Sequence, residues 1–184
     1  MVSRYGFLTS EEKRKSKIEI NNSDCLCIVL ERTGTMEKNN EKYDIYKAMK
    51  MNLNKAMKSG FYYQAIFIEY AIIEDRCLSV LKHAGVKYID SKGYEIKLDK
   101  KLRKMKGNPA FLNDYVRKRI TPELIDEIDS WKTDRNQLVH ALAKIQYNHE
   151  SIKQIAERGQ LLVNTLDNRV KSVNRYFDKQ KCGN

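Results

Sequence analysis

The chain has little of what punctuates or staples a fold. Two prolines and eight glycines in 184 residues leave few places for turns and favour long helices. The four cysteines, Cys25, Cys27, Cys77 and Cys182, are scattered, and beyond one Cys-x-Cys they show no paired ligand spacing. That argues against a zinc framework and for a reduced, cytoplasmic protein with no metal and no other cofactor. Long hydrophobic runs are also missing. The longest, residues 65–73, is interrupted by Glu69 and falls well short of the ~20 residues that a spanning helix needs, so no membrane partner is expected. The N-terminal residues lack the apolar stretch of a secretory signal.

What is present is an apolar fraction of 41% beside a charged fraction of 32%, enough for one domain with a real core. The formal charge of +11 is unevenly placed. Residues 1–35 carry six Lys/Arg against five Asp/Glu, whereas residues 95–120 hold nine basic residues against three acids. Those nine are Lys97, Lys100, Lys101, Arg103, Lys104, Lys106, Arg117, Lys118 and Arg119. A concentration of this kind attracts phosphate backbones, and the segment is a candidate RNA-binding surface. A solvated lysine-rich face is the plainer explanation of any one basic run.

Organisation changes near residue 36. Residues 1–35 are polar and irregular, with one short strand-like stretch at 25–30, and are expected to form a poorly structured extension. Residues 36–184 carry helical periodicity. A first helix is predicted over 40–59, with Ile45, Tyr46, Met49, Leu53, Ala56 and Met57 as its stripe and Gly60 ending it. The second, over 61–84, is apolar on most sides, as a helix surrounded by neighbours would be, and Gly85 closes it. Residues 86–96 read as a loop turning around Ser91, Lys92 and Gly93. One or two short helices follow, broken near Gly107, Asn108 and Pro109. Thr121, Pro122 and Glu123 then supply an N-cap, a first-turn proline and a first-turn acid for a helix over 121–145. The last helix, 149–179, keeps a seam through Ile152, Ile155, Gly159, Leu162, Leu166, Val170, Val173 and Phe177. The expected fold is all-α, an antiparallel bundle of four main helices with one or two short extra ones.

The helix over 121–145 holds the chemistry. Its apolar positions step by three and four through Leu124, Ile128, Trp131, Leu138, Leu142 and Ile145, and the slot between Trp131 and Leu138 is filled by Arg135. A guanidinium there must meet a carboxylate, a polar cavity or an anionic ligand, because an unpaired buried charge costs on the order of several kcal/mol. Two acids could pair with it: Glu69, the only charge within residues 65–73, and Glu74. His140 lies five residues after Arg135, about 140° round the helix, and shares a face with Asn136. Arg76 and His83, with six residues between them against four between Arg135 and His140, form a second Arg…His pair on the second helix. His83 and His149 read as helix-end residues.

In these residues the chain resembles the HEPN superfamily of small four- to five-helix domains. Gly60-Phe61-Tyr62-Tyr63-Gln64-Ala65, followed by Ala71-Ile72-Ile73-Glu74 and Leu78, is similar to the family's second-helix pattern, and Glu74 matches its acid. Arg135-Asn136-x-x-x-His140 is similar to the family's Arg-x4-6-His ribonuclease signature. The tyrosine that one toxin branch carries two residues after the histidine is replaced here by Leu142. The resemblance covers about residues 40–180 and implies a metal-independent endoribonuclease cleaving single-stranded RNA. Arg135, Asn136 and His140 would be catalytic, with Glu74 or Glu69 orienting the arginine. It also implies a homodimer with a composite site, and a role as a toxin or an abortive-infection, antiviral defence effector, with an antitoxin or regulatory protein as a further partner. The alternative is a non-catalytic RNA- or protein-binding module of the same fold.

Overall fold

In a computed structural model, the backbone is described for residues 24–141 and 148–182, and side chains for 41–141 and 148–181. The chain divides into two units, Met1–Asp44 and Ile45–Asn184. The described part of the first unit is helical; the second holds everything that follows. The elements in order are α1 (Asp24–Lys58), α2 (Tyr62–His83), α3 (Leu98–Gly107), a single 3-10 turn (Pro109–Phe111), α4 (Asp114–Arg117), α5 (Pro122–Ala141) and α6 (His149–Cys182). The described residues contain no strand beyond one isolated bridge, Ile89 to Glu95, and no helix among them is long and apolar enough to cross a membrane.

Local chemistry sets the boundaries. Gly60 takes a φ of 71°, and the Phe61 and Gly60 amides donate to the Ala56 and Met57 carbonyls, so the last carbonyls of α1 are satisfied by a left-handed glycine cap. Gly85 repeats the device at the end of α2. The Asp90 carboxylate accepts from the Lys92 and Tyr94 amides, which turns the loop around Gly93 as the sequence predicts. The Thr121 hydroxyl accepts from the Leu124 amide at 3.2 Å, and the Asn148 side chain caps α6 through the Ser151 amide at 2.8 Å.

Two expectations are corrected. Residues 25–30 lie within α1, which starts at Asp24 and not near residue 40, because six apolar-rich residues do not by themselves separate strand from helix. Ile45 is exposed, leaving Tyr46, Met49, Leu53, Ala56 and Met57 as the inward stripe. Leu142 and Ile145, expected to extend the seam of α5, lie outside the described residues.

Contacts within the second unit fix helix directions. Along the largest interface, that of α2 with α6, Arg76 meets Asp167, Ser79 meets Asn174 and His83 meets Asp178, so the two helices run the same way. Asn54 meets Gln160 while Lys50 meets Asp167, so α1 opposes α6. The Trp131 indole donates to the Ile155 carbonyl at 3.0 Å where α5 crosses α6. Leu53, Ile66, Ile73, Leu81, Leu102, Ile128, Trp131, Leu138, Leu166 and Val170 fill the shared core. α2 is not covered on every side. Phe67 is 50% exposed, and Tyr63 and Ala71, one turn to either side, are exposed with it.

Candidate functional site

Arg135 sits on α5 at the slot its pattern predicts, half-buried between Trp131 and Leu138, which are fully enclosed. Neither candidate acid pairs with it. Its guanidinium carbon lies 4.5 Å from the Tyr70 ring centroid and 5.3 Å from that of Phe67, both on α2. One terminal nitrogen donates to the Asn136 side-chain oxygen at 3.1 Å, while the buried Nε has no hydrogen-bond partner among the described residues. Aromatic faces therefore do the work expected of a carboxylate; such contacts contribute about 0.5–2 kcal/mol and leave the cation's net charge in place.

Glu74 has a different cation. It lies 3.4 Å from the Lys101 ammonium, which is wholly buried and also bonded to Glu95. Tyr70 stands among these charges, its hydroxyl pulled above the ordinary range first by burial and then by Glu74, with Arg135 opposing. Lys132, one turn before Arg135, is held by Asp99 and Asp129. Glu69 is also fully buried, yet its two carboxylate oxygens have no hydrogen-bond partner among the described residues. Burial alone pushes its pKa up to about 9, so the side chain is a neutral acid at pH 7.

His140 is exposed in the last turn of α5, and no hydrogen bond or ion pair to another described residue holds its ring. The second Arg…His pair, on α2, is engaged otherwise. Arg76 contacts Asp167 at 2.7 Å and covers the Tyr46 ring at 3.7 Å, and His83 meets Asp178 at 2.6 Å. Asp167 is buried with Lys50 and Lys171 as further partners, which outweigh its burial and hold its pKa low. This is a structural cluster joining α1, α2 and α6. Cys77 is a buried thiol pushed up to about 12 by burial, which makes it no nucleophile at neutral pH. No family model, curated protein or solved structure matches the chain.

The nine basic residues of the 95–120 segment divide. Lys97, Lys100, Arg103, Arg117 and Lys118 are exposed, and Lys104 is half-buried. Lys101 is no surface contact: it is enclosed with Glu74 and Glu95, and Leu98, Leu102 and Met105 bury the same face of α3. Its place in that three- and four-residue series is the signal that marks it, the same one that marks Arg135. Lys106 is paired with Asp126, and Arg119 lies 3.6 Å over the Tyr115 ring. Lys171, Arg175 and Lys179, spaced by four on α6, add a further basic ridge, whose only signal in the sequence is that spacing.

Proposed function

We propose that this chain is a metal-independent endoribonuclease of the HEPN type, acting on single-stranded RNA through a composite site between two copies. The observation that carries the reading is the state of Arg135: a half-buried cation with no carboxylate partner among the described residues, oriented by Tyr70, Phe67 and Asn136. A cation so placed is fixed in direction and has charge left for a phosphate. His140, exposed just over a turn further on, supplies an imidazole able to take or give a proton. The opposed directions of α1 and α6, with α2 and α6 running the same way, are compatible with an up-and-down helical bundle such as that of the family.

In this mechanism one His140 removes the proton from a ribose 2′-hydroxyl as its oxygen attacks the adjacent phosphorus. The bond to the 5′-oxygen breaks, and that oxygen takes a proton from an imidazolium, giving a 2′,3′-cyclic phosphate and a 5′-hydroxyl. Arg135 neutralises the charge gathering on the phosphorane oxygens, and Asn136 holds the guanidinium. A two-fold pair supplies both histidines from the same position on each copy. A toxin or antiviral defence effector, restrained by a partner protein, is the biological role proposed with it.

The exposed, unheld ring of His140 favours a second reading, a non-catalytic RNA-binding module of the same fold. Cleavage of a mixed single-stranded RNA in EDTA by the wild type, Arg135→Ala and His140→Ala separates the two. The expected result is cleavage by the wild type alone, down at least about 100-fold in each variant, with unchanged circular dichroism. Cleavage that survives in folded His140→Ala, or that needs a divalent cation, would overturn the proposal.

A further inference from the structure

A groove of about 320 Å³ lies between α4 and the final turns of α6, lined by Tyr115, Ser172, Arg175, Tyr176 and Lys179. It is built on a three-layer stack. The Arg119 guanidinium lies 3.6 Å over Tyr115, and Tyr115 is stacked on Tyr176 with ring centroids 4.7 Å apart and planes at 19°. The Arg119 side chain also donates to the Tyr115 carbonyl at 3.0 Å, so that cation is held in place. Arg117, Lys118, Arg175 and Lys179 have no ion pair among the described residues, in contrast to Lys101, Lys106 and Lys132. Residues 168–182 hold five basic side chains against one acid, Asp178, and that acid faces His83.

We infer that this groove is a phosphate-tracking subsite for the flanking part of a single-stranded RNA, distinct from the Arg135/His140 site, and the inference rests on the proposed reading of the chain as an RNA-acting protein. The charges that line the groove, Arg175 and Lys179, are cations without an ion pair among the described residues, and three hydroxyls stand beside them to donate to phosphate oxygens. Both faces of Tyr115 are already covered, by Arg119 and Tyr176, so that ring leaves no face for a base. It grips backbone and does not read sequence. Position supports a flanking role. Arg158 on α6 meets Asp134 beside the candidate site at 2.7 Å, and Tyr176 lies eighteen residues further along the same helix, about 27 Å at 1.5 Å per residue. At the stacked spacing of 3.4 Å, about eight nucleotides bridge that separation.

The test measures binding without cleavage. Full-length His140→Ala protein is titrated against a fluorescein-labelled oligouridylate by anisotropy over a range of salt concentrations. The added pair Arg175→Glu and Lys179→Glu is expected to weaken binding about tenfold at low salt and to make the salt slope shallower by about 1.4, two contacts at about 0.7 each. The control pair Lys55→Glu and Lys58→Glu changes net charge equally at the end of α1 and should move affinity less than about threefold. Oligoadenylate should bind within about threefold of oligouridylate. Inorganic phosphate at the same phosphate concentration should fail to displace either strand. Equal losses in the two double variants, or displacement by phosphate alone, would overturn the subsite. An absence of cleavage in the wild type with this binding pattern intact would remove the ribonuclease reading and leave the groove standing.

Discussion

Arg135, Lys101 and Glu69 are three charges set on inward-facing positions of helices, and each is accommodated differently. Lys101 is enclosed by two carboxylates, Arg135 by two rings and an amide, and Glu69 by loss of its charge. The last has a consequence for stability. Glu69 binds its proton up to about pH 9 in the folded chain, but ionises near 4.5 when unfolded. Between those values the folded state holds the extra proton, so stability falls as pH rises, by up to about 1.4 kcal/mol per unit, and levels off above pH 9. Glu69→Leu removes both the titration and the orphaned oxygens. It is expected to be more stable than the wild type at pH 8 by at least about 1 kcal/mol in urea unfolding, with the difference shrinking towards pH 5. A variant less stable at both pH values would show that the carboxyl has a polar role within the core. The sequence marks Glu69 and Arg135 as anomalies because each breaks an apolar series. It does not give their surroundings, because Phe67 and Tyr70 reach Arg135 from some 65 residues away and only the folded geometry chooses rings over acids.

The contact of α2 with α6 explains why a neutral acid fits there at all. Gly159 is buried on α6, and a Cβ added to it would collide with the Glu69 carboxyl group, lying 2.7 Å from its Cδ and 2.8 Å from the Trp131 indole nitrogen. The two helices therefore approach through a glycine, with Glu69 in the space left by the missing side chain. Gly159→Ala is expected to destabilise the chain by about 1–3 kcal/mol, despite alanine's better helix propensity, because Trp131 is fixed by its bond to the Ile155 carbonyl. Thermal melts of Gly159→Ala with and without Glu69→Ala check this. The shortened side chain should recover at least half of the loss, and additive losses would place the strain elsewhere. At this scale the sequence was highly legible. The glycine caps after α1 and α2, the Thr121 cap and the α6 seam all rest on local chemistry within four or five residues. Residues 25–30 misled because a short apolar run does not separate strand from helix, and Ile45 because local pattern cannot tell a helix face with neighbours from one without them.

For the whole molecule, the proposed composite site ties activity to association, and the net charge of +11 works against that association. Two such chains repel at low ionic strength, where the screening length is about 30 Å at 0.01 M, and much less at 0.15 M, where it is about 8 Å. The proposed RNA binding through Arg175, Lys179 and Arg135 should respond in the opposite sense, since salt weakens every phosphate contact. The two dependences cross, so cleavage at fixed low protein concentration should rise and then fall as salt increases, with a maximum at intermediate ionic strength. Below the dimer dissociation constant the initial rate should scale with the square of protein concentration at each salt, becoming linear above it. Sedimentation in the same buffers should place that change of order where monomer gives way to dimer. A rate linear in protein throughout, from a chain that sediments as a monomer, would mean that one copy carries a complete site.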